Sequence, residues 1–169
     1  MGIRPTLLNS CASAATSAEA RFRIDAPPMA APVTRVVALD PGARAVAHIL
    51  EAQTWRGAQF LTYAPAAPSG DGVLADIELA AADGSPVRLS DELTGTDFVM
   101  MIATADDGAA AASAIGTACS LRGIMTAAVV VGDGRAAGAA VNALRPYARV
   151  LLVTKDQLDV AEIMAAVGA

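Results

Sequence analysis

Five short apolar runs, "RVVAL", "AQFLTYA", "DFVMMIA", "MTAAVVVG" and "RVLLVT", punctuate the chain, and four of them lead directly into a stretch of helical character. Strands that are apolar on both faces must be covered on both faces. Strands of that kind in alternation with helices call for a parallel sheet between two helical layers. The fold class predicted is α/β: a three-layer, Rossmann-type parallel sheet with helices on both faces.

The helical stretches carry their own punctuation. "ARAVAHILEAQ" follows the first run, with Val46, Ile49 and Leu50 read as its apolar stripe. "GAAAASAIGTACSLRG" closes on Gly123, "GRAAGAAVNALRPY" stops at Pro146, and "DQLDVAEIMAAVG" ends the chain. Between residues 65 and 95 the order is different. "GVLADIELA" alternates like a strand and "DGSP" signals a turn before "VRLS", which predicts a hairpin insertion around 73–89, with an irregular helix as the alternative.

Residues 1–32 mix Ala, Ser, Thr and Pro with little period apart from a short strand-like "ARFRI", and are expected to form a flexible N-terminal arm. Residues 33–169 are expected to form one domain, a size that 169 residues with 54% hydrophobic content can support. No apolar run reaches the roughly 18 residues of a membrane helix. A net charge of -5 with eleven scattered arginines leaves no basic patch for nucleic acid. Cys11 and Cys119 are too few for a disulfide scaffold, and the start of the chain makes a poor secretory signal, so the expected compartment is the cytoplasm. Cys119 shares a helix face with Ala112 and Ile115 and reads as a buried, inert thiol.

Folds of this class bind ligands beyond the carboxyl ends of their strands, near the point where strand order reverses. Four turns therefore become candidates: "LDPGAR" with Asp40 and Gly42, "ATADDGA" with Asp106, Asp107 and Gly108, "GDGR" with Gly132, Asp133 and Gly134, and "TKDQ" with Lys155, the sole lysine. Asp40, Asp106 and Asp107 together could supply oxygen ligands to Mg2+, and Asp106 and Asp107 are the candidates for catalytic carboxylates. Against that chemistry, Asp and Gly are ordinary turn and cap residues at strand-to-helix junctions. His48, the only histidine, lies beside the apolar stripe of its helix and reads as a half-buried packing residue rather than a base. "GDGRAAG" is the nearest approach to a Gly-rich anion turn, but its spacing departs from the dinucleotide fingerprint.

In order, these segments resemble the nucleotide-binding domain of the FtsZ/tubulin family. "RVVALDPGARAVAHILEAQTWRGAQFLTYAP" is similar to that family's opening strand, Gly-rich turn and helix, with "GAQF" standing where the family has "GVEF". "TDFVMMIATADDGAAAASAIGTACSLRGIMTAAVVV" matches its strand, phosphate loop, helix and following strand, and "AVNALRPYARVLLVTKDQL" the approach to "NDKL". The likeness covers most of residues 35–160. It implies a nucleotide site built from a glycine-rich first turn and a "GGGTGTG" loop, where backbone N–H groups approach phosphate oxygens.

This chain departs from the family at those two places. Asp40 and Pro41 replace glycines in the first turn, leaving Gly42, and Pro41 has no N–H to donate. The second loop reads Asp106, Asp107, Gly108 and then four alanines. A carboxylate about 4 Å from a phosphate charge costs on the order of 4 kcal/mol at an effective dielectric near 20. A helix N-terminus returns only about 0.3 to 1 kcal/mol. Repulsion outweighs the dipole, so GTP hydrolysis is expected to be lost, and Asp106 or Asp107 is expected to cap the helix that follows, contributing about 1 kcal/mol. No counterpart of the family's second domain or acidic catalytic loop is seen. The expectation is a non-catalytic module for protein contacts, self-association or ligand sensing, with no nucleic-acid or membrane partner. The alternatives are a Mg2+-dependent enzyme or phospho-switch at the carboxylate edge, or residual nucleotide binding.

Overall fold

The computed structural model describes residues 31–64 and 77–167, which belong to one compact unit, Ala31–Ala169. The strand-like "ARFRI" and the N-terminal arm lie outside the described residues, as does the front half of "GVLADIELA". Among the described residues seven strands form one sheet: β1 (Thr34–Ala38), β2 (Ala58–Tyr63), β3 (Glu78–Ala81), β4 (Pro86–Arg88), β5 (Phe98–Ala103), β6 (Met125–Val131) and β7 (Val150–Thr154). Their order across the sheet is β4-β3-β2-β1-β5-β6-β7. Strands β2, β1, β5, β6 and β7 run parallel, and β3 and β4 add an antiparallel hairpin beyond β2. The α/β expectation holds, and the hairpin extends the sheet at one edge.

Among the described residues the helices are α1 (Pro41–Glu51), α2 (Leu89–Glu92), α3 (Ala109–Arg122), α4 (Gly138–Leu144) and α5 (Leu158–Val167). The strict alternation of a strand divides the core in two. Val36, Ala38, Phe98, Met100, Ile102 and Val129 point to the face covered by α1 and α5. Val37, Leu39, Val99, Met101, Ala103, Ala128 and Val130 point to the face covered by α2, α3 and α4. All six residues of β5 are buried, as a central strand with helices on both sides requires.

Two details of the helices differ from the sequence expectation. Helix α1 buries Ala43, Val46, Ala47 and Leu50, an i, i+3, i+4, i+7 stripe, and leaves Ile49 55% exposed. At about 100° per residue, Ile49 sits about 110° from the centre of that stripe and His48 about 150°, so neither can reach the core. His48 is accordingly exposed, 3.4 Å from Glu51, and the packing role read for it is corrected. Helix α4 starts only at Gly138, because Gly132 to Ala137 are spent on the turn that leaves β6.

The alanine-rich α3 packs closely on both sides. Its Ala111, Ala112, Ile115, Gly116 and Cys119 are buried, and the ring of Tyr147 lies against Gly116, with the Thr117 and Tyr147 hydroxyls 3.0 Å apart. The small side chains are used within the domain. Cys119 is buried there as expected, and desolvation, only partly offset by the Arg122 charge, pushes its thiol up to about 11.

Candidate functional site

Strand β1 is the point at which chain order reverses, since β2 lies on one side and β5 on the other. The turns leaving β1 and β5 flank the crevice where such folds hold ligands. Here that crevice is crossed by one side chain. Asp40, two residues past the end of β1 and at the N-cap of α1, has extended backbone (φ -147°, ψ 169°) and is 3% exposed. Its Oδ1 accepts the Ala43 N–H at 2.9 Å, capping α1, and the Thr104 hydroxyl at 2.5 Å. Its Oδ2 accepts the N–H groups of Thr104 at 2.7 Å and Ala105 at 3.1 Å, both in the turn after β5.

The electrostatics follow from those four donors. Burial pushes the Asp40 carboxyl up. The Thr104 hydroxyl and the N–H groups of Thr104, Ala43 and Ala105 push it down, and together they win, holding it below the ordinary 3.8. Asp40 is therefore a buried anion whose hydrogen bonds come from three backbone N–H groups and the Thr104 hydroxyl, the situation in which charge-assisted bonds are strong.

The packing around this bridge explains two of the sequence's glycines. A Cβ on Gly42 would run into the Thr104 hydroxyl, and one on Gly108 into the carbonyl and Cβ of Leu39. Both are small because the two turns touch. Gly108 is buried against β1 and is the N-terminal boundary residue of α3, which no side chain caps. The capping role expected of Asp106 or Asp107 is thus corrected. The Asp106 side chain instead accepts the Ala140 N–H, in the first turn of α4, at 3.0 Å, while its backbone carbonyl takes the Ala109 N–H. Nothing local could have indicated this, because the partner lies 34 residues on.

The remaining candidates disperse. Asp107 is exposed and, with Asp40, Pro41, Arg44, Thr62 and Tyr63, lines a pocket of about 490 Å³. Asp133 is exposed in the turn of Gly132 and Gly134 and accepts the Arg135 N–H at 3.0 Å. Lys155 lines a different groove, of about 350 Å³, with Val46, Ile49, Leu50 and Leu158. Among the described residues no three His, Cys, Asp or Glu side chains are grouped so as to hold a metal ion. Asp40, Asp106 and Asp107 do not form the Mg2+ constellation envisaged from the sequence.

Two participants were missed. Thr104 supplies two of the four bonds to Asp40, and Arg44 lines the pocket beside it. Arg44 stands four residues after Asp40, so a helix starting at Pro41 places both at the same end of α1, a signal present in the sequence. At the end of β7, α5 is also closed by its own side chains: Asp156 accepts the Leu158 N–H at 2.9 Å, and the Thr154 hydroxyl bonds Asp159.

No protein-family model matches the chain, and no curated protein matches it. A search of solved structures finds proximal thread matrix protein 1 from the mussel byssus, with a TM-score of 0.38 and 16% sequence identity over 79% of this chain. The match spans 43% of that protein.

Proposed function

We propose that the chain is a non-catalytic, FtsZ-like α/β module that works through contacts with other proteins, its ancestral phosphate crevice closed by its own carboxylate. The observation that carries this reading is Asp40. The N–H groups of Thr104, Ala105 and Ala43 converge on one point between β1 and β5, as they would on a phosphate oxygen, and the point is already taken by Oδ1 and Oδ2. A phosphate brought there would have to displace a buried anion. If it instead lay about 4 Å away, repulsion would cost on the order of 4 kcal/mol at an effective dielectric near 20.

The same pattern at α4, where Asp106 takes the Ala140 N–H, supports the reading. A ligand-sensing variant draws on the pocket beside Asp40, where Arg44 is in no ion pair with a described residue. Thermal melting of the purified protein with GTP, GDP, ATP, NAD and Mg2+, singly and in nucleotide–Mg2+ pairs, tests the proposal. A ligand at 100 times its Kd adds about 2.7 kcal/mol to the stability of a protein that binds it only when folded. The expected result is no shift. Stabilisation by GTP or GDP would overturn it, and stabilisation by Mg2+ alone would favour a carboxylate-edge enzyme.

A further inference from the structure

The pocket of about 490 Å³ beside Asp40 lies at the carboxyl ends of β1 and β2, next to the strand at which chain order reverses, where folds of this class hold ligands. Small-molecule sites run from about 300 to 1,000 Å³, so the space suits one. Part of the lining is apolar, from Leu39, Pro41, Ala64 and Ala80. The rest is polar and unused. Arg44, Thr62, Tyr63 and Asp107 line the same space, and none of these four side chains has a hydrogen bond or ion pair with a described residue.

The charges narrow what the pocket can hold. Arg44 and Asp107 are opposite in sign and line one pocket, yet they do not pair with each other. Asp40, the third charged group of the lining, is occupied by its four protein donors. Glu78, two residues before Ala80 and on the same face of β3, adds an exposed carboxylate outside the lining. The adjoining cleft shares Pro41, Arg44 and Thr62, and in it His48 and Glu51 already face each other at 3.4 Å. Carboxylates outnumber the one guanidinium, so a simple anion meets net repulsion, while a simple cation leaves Arg44 without a counterion. A ligand carrying both charges satisfies each group.

Resting on the ligand-sensing form of the reading above, in which Asp40 closes the phosphate crevice, we infer that this pocket binds a free amino acid with a large apolar side chain. The Arg44 fork takes its carboxylate and Asp107 its ammonium group. Its side chain lies against the apolar lining and the Tyr63 ring, where the small Ala64 and Ala80 leave room. A peptide terminus carries only one of the two charges on its end residue and is excluded by the same logic.

Titration of the 15N-labelled full chain with L-phenylalanine and L-leucine tests this through the amide signals of Arg44, Thr62, Tyr63 and Asp107. Saturable shifts with a Kd below about 1 mM are expected for at least one of the two. L-phenylalaninamide, which lacks the carboxylate, and 3-phenylpropionate, which lacks the ammonium group, should each bind at least about tenfold more weakly than L-phenylalanine. Arg44→Gln should erase the preference for L-phenylalanine over its amide, and Asp107→Asn the preference over 3-phenylpropionate. The comparison of ligands on the unmodified chain stands whether or not the variants fold.

No saturation up to about 10 mM of either amino acid would overturn the inference. So would equal affinity for L-phenylalanine and either analogue, or variants that keep both preferences. Melting with GTP and Mg2+ on the same preparation separates the two levels: absent amino-acid binding with no nucleotide shift removes the pocket assignment alone, whereas stabilisation by nucleotide removes the closed-crevice reading beneath it.

Discussion

The turns leaving β1 and β5 both place carboxylates at the end of a central strand, yet they are put to opposite uses. Asp40 is buried, accepts four hydrogen bonds and ties the two turns together. Asp106 and Asp107 are exposed; the first reaches one N–H of a different helix and the second lines an open pocket. Two adjacent acids thus matter less to this edge than one acid placed where donors from two turns converge. What distinguishes Asp40 is the supply of N–H groups around it, which the strand order brings together.

The sharpest way to break this contrast is Asp40→Ala. It leaves the Thr104, Ala105 and Ala43 N–H groups without their acceptor in a buried place, and a loss of about 4 kcal/mol is expected from urea unfolding. The gentler Asp40→Asn gives the pH signature. Because the native carboxyl lies below the usual 3.8, its stabilisation is complete above the unfolded value and disappears as pH falls through the native one. The difference in urea midpoint between wild type and Asp40→Asn should be constant above about pH 5 and should close toward pH 2.

Gly108→Ala tests the contact between the turns rather than the charge. Its Cβ meets backbone of Leu39, which cannot move aside as a side chain would, so about 2 to 3 kcal/mol should be lost. Asp106→Ala removes a single exposed carboxylate from the start of α4, and about 1 kcal/mol is expected. Asp107→Asn should be the smallest, within about 0.5 kcal/mol of wild type by the same denaturation measurement. If Asp107→Asn cost as much as Asp40→Asn, the division of labour between the two turns would be wrong.

The sheet was legible because it depends on short-range pattern. β5 and β6 are nearly continuous apolar runs, and "DGSP" marks the turn between β3 and β4. The small helix α2 was not, since Leu89 to Glu92 make one turn, too short to show a period. The sequence singled out the turns leaving β1 and β5 and included Asp40, but gave the acid standing in the place of a phosphate to Asp106 or Asp107, whereas it is Asp40 that accepts N–H groups from both turns. Asp40 and Thr104 are 64 residues apart, and their hydrogen bond exists only because β1 pairs with β5. Local cap chemistry favours any acid just before a helix, and it could not register that Gly108 packs too closely on Leu39 for α3 to be capped in the ordinary way.

The closure of the crevice by Asp40 is most directly tested in the amide N–H spectrum of 15N-labelled protein, following Thr104 and Ala105 while GTP and Mg2+ are added. With both groups already donating to Asp40, their resonances should stay where they are through a large excess of nucleotide. A saturable shift of these two signals would mean that the crevice opens to phosphate, and would contradict the closed site.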